Sequence, residues 1–165
     1  MTNTDMVPDL IDQLKCDDGI QCRKARMALV KMGPMAVPAL VEATKNTNST
    51  VRWESLKALS QIGNQQAIDT LTDHLGDNDG RGWVAADGLA RIGAKAVIPV
   101  LEATVGRSGS SDFRDGVHHF LSKLSVDDQQ QTVLEPLRTA LEGSEASLEA
   151  PIVARKALAQ LNPGS

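Results

Sequence analysis

The sequence predicts an all-α chain, an α-α superhelix of about four and a half two-helix repeats, and three observations carry that prediction. First, Val7-Pro8-Asp9-Leu10 returns as Val37-Pro38-Ala39-Leu40, Ile68-Asp69-Thr70-Leu71, Ile98-Pro99-Val100-Leu101 and, more loosely, Leu134-Glu135-Pro136-Leu137, with the last leucines at 10, 40, 71, 101 and 137. Second, Ala25 to Gly33, Ser55 to Gly63 and Ala85 to Gly93 align without gaps, and 117–125 and 154–162 are drifted copies ending in Ser125 and Asn162. Third, apolar residues within each copy lie three and four apart, as at Leu56, Leu59 and Ile62, and no window alternates with period two. Self-similarity at such a period marks a stack of supersecondary units, each burying its apolar face against its neighbours.

Taken in order, the repeats place helices near 5–15, 20–33, 35–45, 50–63, 65–75, 81–93, 95–105, 112–125, 128–142 and 148–162. Polar breaks rich in Asp, Asn, Ser and Gly separate them at Cys16 to Ile20, Lys45 to Thr50, Gly76 to Arg81 and Gly106 to Asp112. Gly33, Gly63 and Gly93 fall where three helices end, in the left-handed position glycine reaches most easily; Asn162 can take the same conformation and Ser125 does so less readily. Ala28, Ala58 and Gly88 occupy matched places and let neighbouring helix pairs approach, while the leucine after each fills the layer between them.

At 165 residues the chain forms one domain, 1–165. Aromatic residues make up 2%, with no Tyr, so burial rests on many Ala, Leu, Val and Ile, which suits closely packed helices. A net charge of −4 argues against a generally basic nucleic-acid surface. Met1 to Asp5 lacks the basic, then apolar, pattern of a signal peptide, and no stretch reaches the roughly 18 to 20 apolar residues of a membrane helix. Cys16 and Cys22 are too few for a disulfide framework, so free thiols in a reducing, cytoplasmic setting are expected.

The pattern V-R-x-x-A-x-x-A-L-x-x-I-G followed by I-P-x-L resembles the HEAT-like repeat of phycobilisome (bilin) lyases and their relatives, an armadillo-like solenoid, over almost the whole chain. The resemblance implies three chemistries to test. Deoxyhypusine hydroxylases, which share such repeats, build a di-iron site from His-Glu pairs; the matching pairs here are Arg23-Lys24, Trp53-Glu54, Trp83-Val84 and Asp115-Gly116, and one carboxylate among them cannot hold iron. The lyases cradle an open-chain tetrapyrrole, so a bilin lyase or lyase subunit is the enzyme alternative. HEAT-like DNA-repair glycosylases use a basic concave surface, and Arg23, Lys24, Arg26, Lys31 and Arg52 form a basic cluster here, but on first helices and beside acids.

Other candidate chemistry is thin. His118 and His119 are adjacent on one helix and point about 100° apart, which suits no shared metal; the alignment places His118 partly buried and His119 towards solvent. His74 sits at a helix end, where the dipole favours a cation. Cys16 and Cys22 fit no four-ligand zinc spacing, and no phosphate loop or nucleophile elbow occurs. No catalytic residue, cofactor or metal is assigned.

Two rows suggest a partner surface. Asp12, Glu42 and Asp73 each fall two residues after a repeat leucine, an acidic ladder suited to a basic protein partner, or simply a wet helix face. Trp53 and Trp83 occupy equivalent positions, as exposed anchors or as groove-capping core; stacked repeats would set them about 10 Å apart. The last helix offers Ile152, Val153, Leu158 and Leu161 with nothing after it, which allows a homo-oligomer, unless Arg155, Lys156 and Gln160 face outwards as a cap. The expected function is a protein-protein interaction module, a scaffold or adaptor binding its partner on the concave face.

Overall fold

In the computed structural model, residues 6–162 are described; the polar stretch 1–5, with the first predicted helix position, lies outside them. The fold is all-α, a repeat arrangement of helices with no strand among the described residues. Among the described residues the α-helices are α1 (Met6–Gln13), α2 (Gly19–Met32), α3 (Val37–Ala43), α4 (Ser49–Ile62), α5 (Gln65–Asp73), α6 (Arg81–Ile92), α7 (Ala94–Arg107), α8 (Ser111–Lys123), α9 (Asp128–Glu142) and α10 (Ala146–Leu161). Short 3₁₀ turns occupy Gly33–Ala36 and His74–Gly76, where the predicted α3 and α5 each ran longer. The chain forms two compact units, Met1–Leu71 and Thr72–Ser165.

In the first unit the helix starts follow from local chemistry. Asp18 caps α2 by accepting from the Ile20 amide at 2.9 Å, and Asn48 caps α4 by accepting from Thr50 and Val51 at 2.9 and 3.2 Å. Helix α4 packs on α2 and α3, and α1 on α2 and α3. Leu10, Leu29, Leu40, Val51, Leu56 and Leu59, which the repeat pattern marked, are buried there, as is Leu14. Gly63 ends α4 at φ 60°, ψ 27°, the left-handed cap that the sequence placed there.

Cys16 and Cys22 are joined in a disulfide across the α1–α2 turn, with Cα atoms 5.7 Å apart, which corrects the expectation of free thiols. The turn folds back so that the buried Cys22, in the first turn of α2, meets Cys16. Two cysteines were too few to signal a disulfide framework, and the approach of this pair depends on the turn between α1 and α2. The thiol argument for a reducing compartment goes with it.

In the second unit, α6 lies against α8 and the His74–Gly76 turn, with α7 beside both helices. Ser110 caps α8 by accepting from the Phe113 amide, and Asp127 caps α9 through the Gln130 amide at 2.8 Å. A strict repeat would lay α10 beside α8, yet α10 packs mainly on α9 and α7. Ala146, Ala150, Ala154 and Ala157 form its buried ridge, and side chains this small let it settle closely over two helices. Leu148 and Ile152 face out, at 64% and 51% exposure.

Asn162 does not take the left-handed cap its place in the repeat allowed: its φ is −132°, and every positive φ among the described residues belongs to glycine. Of the two α8 histidines, His118 is partly buried as the repeat alignment implied, but His119, expected towards solvent, is the more enclosed. His118 is the more open, 40% exposed and 3.0 Å from Glu142, whereas His119 is 16% exposed and lodged between Asp87 and Trp83.

Candidate functional site

The two tryptophans are surface residues. Trp53 lies in the second turn of α4 at 36% exposure, and Trp83 in the first turn of α6 at 55%. Their surroundings differ. Trp53 already carries a cation of its own chain: the Lys57 ammonium is 5.6 Å from the ring centroid, in the range of a cation–π contact. That lysine is held by Glu54, whose Oε1 it meets at 3.0 Å, and Glu54 also accepts from Arg26 of α2. Glu54 is 7% exposed, so the one carboxylate at the metal-pair positions is a buried structural anion bridging α2 and α4.

Trp83 is fixed from its side rather than covered. His119 meets it edge-on, ring centroids 4.2 Å apart and planes at 77°, and His119 Nε2 lies 2.8 Å from Asp87 Oδ1. Asp87 holds the position that Lys57 holds one repeat earlier, since Ser55 to Gly63 aligns with Ala85 to Gly93. The second tryptophan has therefore exchanged a cation for an acid and a histidine.

Beside Trp83 opens a cavity of about 130 Å³, bounded by Leu75, Asp77, Asn78, Asp112 and Asp115. Two glycines make this geometry possible. A Cβ at Gly82 would stand 2.6 Å from the Asp77 carbonyl oxygen and 2.9 Å from that of Leu75, and one at Gly116 would run into the Leu75 carbonyl. Helices α6 and α8 thus press directly on the 75–77 backbone and bring their first turns together. Arg107 holds the same turn, donating to the Thr72 and Asp73 carbonyls at 3.1 and 3.0 Å while stacking 4.3 Å from the Phe113 ring.

Charge around the cavity is unevenly answered. Asp77 lies 2.6 Å from His74 Nδ1 and 3.3 Å from Arg81 Nε. The hydrogen bond from Arg81 to Asp79 raises the guanidinium above its usual range; burial opposes this, and the fields of Asp77 and Asp79 add to it. No described hydrogen bond or ion pair engages the carboxylates of Asp112 or Asp115. The signal in the sequence was two acids three apart at the start of a helix, easily taken for ordinary dipole complements.

The acidic ladder residues are exposed, each with a base nearby. Asp12 meets Lys15 at 2.6 Å, Glu42 meets Lys45 at 3.1 Å, and Asp73 is 3.8 Å from Arg107. Their side chains are 72%, 73% and 83% exposed, so these pairs are loosely held and leave the carboxylates open to an external partner. Among the described residues no group of three or more His, Cys, Asp and Glu is placed to hold a metal ion.

Comparison with known proteins bears on part of this chain. Residues 7–84 match the family model of HEAT repeats. That segment resembles HEAT repeats, and it runs from α1 into the first turn of α6, taking in both tryptophans. Among solved structures, the crystal structure of an engineered protein is similar at 22% identity, covering 94% of this chain and 80% of that one, with a TM-score of 0.43. No curated protein matches the chain. HEAT repeats generally mediate protein-protein interaction, and no helix among the described residues is long and apolar enough to cross a membrane.

Proposed function

We propose that this HEAT-like chain is a non-catalytic interaction module, a scaffold or adaptor, that binds a protein partner through the surfaces carrying Trp53 and Trp83. The observation behind this reading is the exposure of the chain's two largest side chains, 36% and 55%, at equivalent positions of successive repeats. Folding gains nothing from leaving an indole in water, whereas rigid aromatic anchors are the residue type enriched at binding hot spots. The exposed acids Asp12, Glu42 and Asp73 add the preference for a basic partner surface, mostly through the rate of encounter.

The test is cross-linking in the source organism to name a partner, followed by titration calorimetry with the two purified proteins. The folded Trp53→Ala/Trp83→Ala variant should lose at least about 10-fold in affinity, the cost of truncating hot-spot residues. Unchanged affinity in that variant refutes this surface. A cross-linked tetrapyrrole protein whose visible absorption changes on mixing would replace the adaptor reading with the lyase one.

A further inference from the structure

We infer that the cavity between Trp83, Asp77, Asp112 and Asp115 is a docking site for an arginine side chain of the partner protein. The inference rests on the interaction-module reading and supplies the chemistry its partner must bring. All of these residues belong to the second unit, and the lining holds three carboxylates and no lysine or arginine. His74 and Arg81 already answer Asp77, so Asp112 and Asp115 are the two anions left for an incoming cation.

The aromatic wall points to the same ligand independently of the acids. Trp53 has its own ammonium over the ring, whereas the repeat-equivalent of that lysine at Trp83 is Asp87. Asp87 is turned away to hold His119, and His119 braces the indole by its edge. What remains is a half-exposed indole, oriented by its own chain and beside two unanswered carboxylates. An electron-rich ring face and a carboxylate both attract a cation, and both disfavour phosphate or an acidic peptide.

Shape selects the guanidinium among cations. It is planar, stacks on an indole, and presents a fork of N–H donors to neighbouring carboxylates, while an ammonium is a compact, strongly hydrated point charge. A cavity of about 130 Å³, against the ~10 to 15 Å³ that admits a single water, has room for its four heavy atoms. Exposed carboxylates hold such a group weakly one by one, so the site contributes specificity within a larger interface.

The experiment is nitrogen–proton correlation NMR on the full chain, where the two indole N–H signals, assigned with one Trp53→Phe spectrum, report each tryptophan separately. The probes are acetyl-Gly-Arg-Gly-amide and the same peptide with citrulline, the neutral isostere of arginine. The arginine peptide should shift the Trp83 indole and the amides of 82–83 and 112–116 saturably, and the citrulline peptide should leave them unmoved. Asp112→Asn/Asp115→Asn should weaken the arginine peptide by about fivefold or more, with its own spectrum confirming the fold. Equal shifts from citrulline, no shift at Trp83, or unchanged affinity in the double Asn variant overturns the site; equal affinity for a lysine peptide overturns the guanidinium assignment. The two readings fail separately. A purified partner that binds the double Asn variant as tightly as wild type leaves the module intact without this pocket, and a saturable arginine site without any protein partner does the reverse.

Discussion

Glu54→Ala gives the sharpest stability test, because Glu54 was legible in the sequence only as a stray acid. Its side chain is 9% exposed and it accepts from Arg26, itself 14% exposed, and from Lys57, which is 38% exposed. Removing the carboxylate strands the Arg26 guanidinium among packed helices, where its Nε is already buried without a partner. Breaking one side of a buried ion pair costs about 3 to 5 kcal/mol. Lys57 can turn to solvent and Arg26 keeps some water, so the lower end applies, about 3 kcal/mol. For a chain of this size that lowers Tm by roughly 6 to 12 °C. Thermal melts and urea unfolding followed by far-ultraviolet circular dichroism measure it. Glu54→Gln, which keeps an acceptor oxygen, should lose about 1 to 2 kcal/mol, and Arg26→Met/Glu54→Leu should recover most of the loss by replacing the pair with apolar contact. An alanine variant within about 1 kcal/mol of wild type, with double-mutant coupling near zero, would refute the claim that this pair joins α2 to α4.

Other consequences follow from packing and covalent structure. Gly116→Ala drives a Cβ into the Leu75 carbonyl and should cost several kcal/mol, on the order of other overpacked sites, whereas Gly106→Ala, with nothing within 4 Å, should stabilise α7 by about 0.5 to 1 kcal/mol; chemical denaturation of both variants separates the two cases. Gly63→Ala, forced to hold φ near 60°, should lose about 1 to 2 kcal/mol by the same assay. Non-reducing mass spectrometry should find Cys16 and Cys22 unreactive to alkylation, and Cys16→Ser/Cys22→Ser should cost about 2 kcal/mol from the loop the bond closes; full alkylation of the native protein without reductant would show that the bond does not form.

Helix positions and ends were readable because they depend on neighbours three and four residues away. The leucines at 10, 40, 71 and 101 are buried as the repeat phrase implied, and Gly33, Gly63 and Gly93 end their helices at positive φ. The first-helix tryptophans were visible as a pair, but their exposure was not, because a helix face is inside or outside only relative to what packs against it. The enclosure of His119 comes from the same gap. The alignment matched His119 to Lys57, whereas in the fold Trp83 and Asp87 pack against its ring.

Local pattern was enough for the all-α class, the period near 30 residues and the helix boundaries to within a few residues, and it singled out Trp53, Trp83, Asp12, Glu42 and Asp73 without showing whether the tryptophans lie inside or outside. Tertiary structure alone decided the contacts between distant residues. It joined Glu54 to Arg26, closed Cys16 onto Cys22, settled the alanine ridge of α10 on α7 and α9, and gathered Asp77, Asp112 and Asp115 around Trp83. The physical reason is range: hydrogen bonds within a helix are set by the local chain, whereas these meetings depend on how closely backbones approach, and at Gly82 and Gly116 that is decided by the absence of a single carbon atom.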